Sequence, residues 1–111
     1  AAPVAVYGGG PRDEQLAALE GRVGLCIATT GRLLDLLGER AVVLGQVTML
    51  VLDEADALLA LGFEAQVSAI CGQVRPDRQS LLFSATFPPN LEQAAAAWLT
   101  DPVRIYAAAD A

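Results

Sequence analysis

The stretch Thr48-Met49-Leu50-Val51-Leu52-Asp53-Glu54-Ala55-Asp56 limits the possible folds more than any other part of the chain. Its apolar run, with β-branched Val51, predicts a strand buried on both faces. The run then ends in Asp53, Glu54 and Asp56. Unpaired acids cost too much to bury, so the strand must deliver them to an edge where water, a metal or a partner meets them. Two readings fit this local pattern. A strand end that presents carboxylates can hold Mg²⁺ beside a nucleotide phosphate. Alternatively, Asp53 caps a helix that begins at Glu54, with the acids favoured by the helix dipole.

A chain of 111 residues has room for one domain with a modest core. An apolar fraction of 54% argues against disorder. No apolar run approaches the roughly 20 residues that span a bilayer, so no membrane association is expected. The chain begins Ala1-Ala2-Pro3 and reads as an excerpt or a processed piece. A net charge of −6 argues against non-specific nucleic-acid binding through a basic surface. There is no His, which removes imidazole-based acid–base chemistry and imidazole zinc sites. Cys26 and Cys71 have no CxxC pairing and are expected as small buried thiols in a reducing, intracellular setting.

Strands and helices alternate along the chain. Residues 4–7 predict a strand running into Gly8-Gly9-Gly10, where glycines permit a tight turn and close approach of a ligand. Pro11 opens a helix with Leu16 and Leu19 inward, and Gly21 ends it. Residues 24–28 form the next strand, followed by Thr29-Thr30-Gly31-Arg32 and a helix through Leu37. Thr29 or Thr30 is a natural N-cap, and a helix start beside an Arg suits a phosphate as well as an ordinary turn. The connector carrying Val42, Val43 and Leu44 is expected to pack. After the acidic strand, Gly62-Phe63 separates two helices, the second placing Phe63, Val67, Ile70 and Val74 inward. Residues 79–83 predict a strand ending in Ser84-Ala85-Thr86, whose hydroxyls can bond a neighbouring carboxylate or simply form a turn. A helix with Leu91, Ala94, Ala95, Trp98 and Leu99 inward follows, then a strand at 103–106 and an Ala-rich tail.

Such alternation predicts an α/β fold, a parallel sheet with helices on both faces. The carboxyl ends of parallel strands share one edge, where ligands bind. Gly8-Gly9, Thr29 to Arg32, Asp53 to Asp56 and Ser84 to Thr86 all follow strands directly. Four weak signals on one edge favour an anion-contacting or nucleotide-linked role.

The same residues carry a family resemblance. Val51-Leu52-Asp53-Glu54-Ala55-Asp56 resembles the signature of the DEAD-box RNA helicases, and Ser84-Ala85-Thr86 stands where their S-A-T motif does. Thr29-Thr30-Gly31-Arg32-Leu33 resembles T-P-G-R, and Tyr7-Gly8-Gly9 resembles the upstream G-G motif. Gly62-Phe63 and the ending Asp101-Pro102-Val103-Arg104-Ile105 are also similar to the family, so the resemblance covers essentially the whole chain.

The resemblance implies that residues 1–111 are part of the first of two RecA-like, ATP-binding domains that hydrolyse ATP while clamping RNA. It implies ATP and Mg²⁺ as cofactors, with Asp53 holding the metal through water and Asp56 also facing the cofactor. Glu54 would position or deprotonate the attacking water. Asp56 would couple the acidic motif to Ser84 and Thr86. Gly8, Gly9, Thr29, Gly31 and Arg32 would lie along the RNA backbone, reading phosphate and sugar with little sequence preference.

Two departures stand out. Thr30 replaces the family's Pro, which a capping Thr tolerates. More seriously, the phosphate loop G-x-x-x-x-G-K-[ST] needs a lysine, and all seven basic residues here are Arg. The resemblance puts that loop, with its strand, before Ala1 and the second RecA-like domain after Ala111. Without the phosphate-loop strand, the 103–106 strand is expected to lack a neighbour. The leading expectation is an excerpt of an ATP-dependent RNA helicase, and the alternative is a non-catalytic remnant that binds RNA or protein. An unrelated Mg²⁺-dependent phosphohydrolase using Asp53 and Asp56 leaves Ser84 to Thr86 unexplained.

Overall fold

The computed structural model describes residues 3–21 and 23–107. The Ala-rich tail at 108–111 lies outside them. In chain order the elements are β1 (Val4–Val6), α1 (Arg12–Leu19), β2 (Cys26–Ala28), α2 (Thr30–Gly38), β3 (Met49–Leu52), α3 (Ala55–Ala60), α4 (Glu64–Cys71), β4 (Gln79–Leu82) and α5 (Pro89–Trp98). Every strand pairing is parallel, as the strand–helix alternation predicts, but the strands form two separate pairs. β1 lies beside β2 with Val4 opposite Cys26, and β3 beside β4 with Met49 opposite Gln79. Among the described residues no strand bridges one pair to the other.

Each pair has its own core. Val4, Val6 and Leu36 are buried together, with Leu16, Leu19, Val23 and Val42 packed around them. The larger core joins Leu52, Ala55, Val67, Leu91, Ala94 and Trp98. α5 supplies much of it because Leu91, Ala94, Ala95 and Trp98 recur at helical spacing on one face. The Trp98 indole donates to Ser68 Oγ at 2.9 Å, so the one polar atom of that buried ring is satisfied and α5 is tied to α4. Arg78 closes the same corner. Its guanidinium donates to the carbonyls of Cys71 at 3.3 Å and Trp98 at 3.3 Å, filling acceptors left open at the C-terminal ends of α4 and α5. α2 packs against α4 and connects the two lobes.

The structure revises several expectations. β3 is not buried on both faces: Leu52 is 8% exposed, while Met49 and Val51 on the opposite face are each 50% exposed. Helices cover only one side of this pair, so period-two alternation decides which side chains are sheltered. All three residues of β2 are exposed, and the core of that pair is drawn from β1 and the helices instead. Residues 103–106 form no strand, because no ladder partner is present among the described residues; Val103 and Ile105 stand in solvent. This segment is instead strapped to α5 by an Arg104–Glu92 ion pair, with the guanidinium 5.7 Å from the Phe87 ring centroid. The thiols also differ from expectation. Cys26 is exposed on β2 and Cys71 is only half-buried, its pKa raised by desolvation. In the connector, Val42 packs but Val43 does not.

Candidate functional site

β3 ends at Leu52, and the ladder continues beyond it. Phe83 N donates to Leu52 O at 2.8 Å and Ala55 N donates to Phe83 O at 3.0 Å. These bonds hold the acidic turn flush against residues 83–86. Glu54 then adopts φ 52°, ψ 49°, a left-handed conformation costing about 1 kcal/mol or more for a residue with a Cβ. α3 begins only at Ala55, and neither Asp53 nor Glu54 caps it through a side chain. The Asp53 Oδ1 accepts from the adjacent Glu54 N at 2.9 Å instead.

Asp56 differs from its two neighbours. Its Oδ2 accepts from Thr86 Oγ1 at 2.7 Å and from Thr86 N at 3.1 Å. Its Oδ1 accepts from Ala57 N at 2.9 Å, and its own N–H donates to Ser84 Oγ at 3.0 Å. Ser84 Oγ in turn donates to Thr86 O at 2.8 Å. The Thr86 hydroxyl is the chief reason the Asp56 carboxyl lies below its ordinary range, with desolvation opposing it. As the pH falls, the unfolded chain therefore takes up this proton first. The stabilisation is complete above the ordinary range of an aspartate in the unfolded chain and is lost as the pH drops through the lower folded value. Urea midpoints measured from about pH 6 down to pH 2 should fall less steeply for Asp56→Asn than for the parent chain. Parallel curves would show that the Thr86 contact does not hold the ionised form.

A cleft of about 470 Å³ opens over this turn, lined by Asp53, Glu54, Asp56, Phe83, Ser84 and Ala85. With both Asp56 oxygens engaged, Asp53 Oδ2 and the Glu54 carboxylate supply the free anionic oxygens. Among the described residues no group of three or more His, Cys, Asp or Glu could hold a metal unaided. One free carboxylate with water completing the shell fits Mg²⁺, which keeps several waters and demands no protein cage.

The exits of β1 and β2 form a second cluster. Gly8 N donates to Thr29 Oγ1 at 3.2 Å, and Thr29 N donates to Val6 O at 3.0 Å. Thr29 is the N-cap residue of α2 by backbone position, but its hydroxyl serves the neighbouring glycine turn rather than the helix. Gly9 has φ +80°, which glycine adopts without steric cost. Arg32 Nη1 donates to Gln15 Oε1 at 2.9 Å. The structure thus gathers the singled-out residues into two groups: Gly8, Gly9, Thr29, Gly31 and Arg32 on one pair, and Asp53, Glu54, Asp56, Ser84 and Thr86 on the other. No hydrogen bond among the described residues joins one group to the other directly.

Gln15 escaped the sequence reading, which put Leu16 and Leu19 inward. It is the buried polar residue of this region, at 5% exposed. Helical spacing places Gln15 on the face of Leu19, four residues on, but apolar periodicity does not mark an amide there as buried.

Comparison with known proteins agrees with this geometry. The family model for the DEAD/DEAH box helicase matches residues 1–94. DEAD-box ATP-dependent RNA helicase 24 of Oryza sativa subsp. japonica is 52% identical over 101 residues, covering 91% of this chain and 13% of that protein. ATP-dependent RNA helicase DBP2 of Candida albicans is 48% identical over 100 residues, covering 90% of this chain and 18% of its own length. The crystal structure of the yeast DEAD-box splicing factor Prp28 superposes with a TM-score of 0.81 at 38% identity, over 88% of this chain and 23% of that one. A hypothetical ATP-dependent RNA helicase from Sulfolobus tokodaii gives a TM-score of 0.82 at 31% identity, over 89% and 30% of the two chains. The chain therefore spans less than a fifth of these two curated relatives and at most 30% of the two solved chains, and its α/β fold is that of a partial RecA-like domain. Its sequence, its parallel pairs and its acidic turn place this chain in the DEAD/DEAH box helicase family.

Proposed function

We propose that the chain is the latter part of the first RecA-like domain of an ATP-dependent RNA helicase. In this reading it supplies the water-activating and coupling residues of Mg-ATP hydrolysis and part of the RNA track. The observation that carries the reading is the division of labour among three neighbouring acids. Asp53 and Glu54 keep free oxygens at the cleft, while Asp56 is committed to Ser84 and Thr86.

Mg²⁺, when bound, neutralises phosphate charge, and Asp53 is the residue that would hold it through water. Glu54 orients the attacking water and accepts its proton. The Asp56–Thr86–Ser84 bonds make the position of the acidic turn depend on that of residues 84–86. A shift on either side is therefore felt on the other, and this dependence links nucleotide state to RNA strand separation. Gly8, Gly9, Thr29, Gly31 and Arg32 offer backbone N–H groups, one hydroxyl and one guanidinium. Such a set suits phosphate and sugar rather than base edges.

The test is ATPase activity of a complete helicase carrying this segment, with and without single-stranded RNA. Hydrolysis stimulated at least about tenfold by RNA of arbitrary sequence is the expected result, equivalent to about 1.4 kcal/mol in the barrier. A protein that binds RNA but never hydrolyses ATP would replace this reading with that of a non-catalytic binding module.

A further inference from the structure

We infer that Gln15 is a positioning residue whose buried amide holds the Arg32 guanidinium and the turn after β1 in one register, so that both loops meet an RNA backbone as a single preformed surface. This inference rests on the proposal that those loops contact RNA.

Both polar atoms of the amide are engaged. Gln15 Oε1 accepts from Tyr7 N at 3.3 Å and from Arg32 Nη1 at 2.9 Å, while Nε2 donates to Tyr7 O at 3.2 Å. One side chain thus pairs both backbone groups of Tyr7, just before the glycine turn, and reaches across to the first turn of α2. The bond to Arg32 is the shortest of the three and the one assisted by charge. Gly10 lets the turn close onto this amide: a Cβ there would stand 2.4 Å from Gln15 Nε2 and 2.6 Å from the Tyr7 ring. The Gly8 N to Thr29 Oγ1 bond ties the same two loops a second time.

The neutrality of the holder matters. Among the described residues Arg32 forms no ion pair, whereas Arg12, Arg75 and Arg104 each do. A carboxylate at position 15 would orient the guanidinium but also neutralise it. An amide oxygen accepts one guanidinium N–H and leaves the positive charge and the remaining N–H groups for a phosphate. Ordering an arginine before the ligand arrives removes an entropy cost that binding would otherwise bear.

The experiment is a double-mutant cycle in a complete helicase carrying this segment. It reads the RNA concentration that half-saturates ATPase stimulation, together with kcat at saturating RNA. Gln15→Leu should raise the half-saturating concentration by about tenfold, the loss expected for one charge-assisted hydrogen bond, with saturated kcat within about twofold. In an Arg32→Ala background the same change should add less than about twofold, because the group it positions is gone. Gln15→Glu, close in shape, should also raise the concentration, because its carboxylate competes with phosphate for Arg32. Full additivity of Gln15→Leu and Arg32→Ala overturns the positioning role and leaves the RNA reading standing. An Arg32→Ala protein with unchanged half-saturation overturns both. Should Gln15→Leu fail to fold, Gln15→Glu decides, and an unchanged half-saturating concentration in that variant overturns the inference.

Discussion

Replacing Glu54 with Gln in a complete helicase carrying this segment should lower RNA-stimulated ATP turnover by about a hundredfold or more, with ATP affinity held within about twofold. The substitution preserves side-chain length and the left-handed backbone, whose cost is the same for Gln as for Glu. It leaves the bonds of Asp56 to Ser84 and Thr86 untouched, since none of them involves position 54. What it removes is the proton acceptor beside the cleft. Binding that persists while turnover collapses marks an interaction made in the transition state and not in the ground state. Steady-state ATPase rates set beside nucleotide titrations separate the two quantities. A variant turning over at the parental rate would remove Glu54 from the chemistry.

The second large effect concerns the chain by itself. A compact monomer of this mass exposes about 5,800 Å², whereas this chain exposes 7678 Å². Its radius of gyration is 14.9 Å, against about 13 Å for a compact domain of this length. The excess includes the open faces of the strand pairs, where Leu25, Ile27, Met49, Val51 and Phe83 are all at least half exposed. Apolar area of that extent, next to unpaired strand edges, drives association. At micromolar concentration the 111-residue chain should sediment as oligomers and melt over a broad range, and Ile27→Thr with Val51→Thr should shift it toward monomer. A monodisperse 11.5 kDa species with one sharp thermal transition would contradict this expectation.

Much of this architecture is legible in the sequence because local signals and tertiary packing agree. The apolar spacing of Leu91, Ala94, Ala95 and Trp98 and the glycine break at Gly62 predict helices that form where expected. The acidic turn is legible for a different reason, since charges at the end of an apolar strand have few places to go. Three features are not. The one-sided burial of β3 depends on which neighbours are present, and Leu50-Val51-Leu52 reads the same whether one face or both are covered. Thr29 looks like a helix cap because local rules count local donors, yet its hydroxyl serves a glycine 21 residues away. Gln15 is buried by the backbone it pairs with rather than by hydrophobicity, and an apolar periodicity does not register that kind of burial.

The two parallel pairs have a consequence for the order in which the chain assembles. Val4 meets Cys26 across a single helix, and Met49 meets Gln79 across two, so each pair is closed by a contiguous run of chain that does not cross the other. Loop closure of this kind is entropically modest, and neither unit waits on strands from the other. On a ribosome, β1, α1 and β2 would be complete before β3 had emerged. The loops that bring Gly8, Thr29 and Arg32 together can thus be in place before the acidic turn exists.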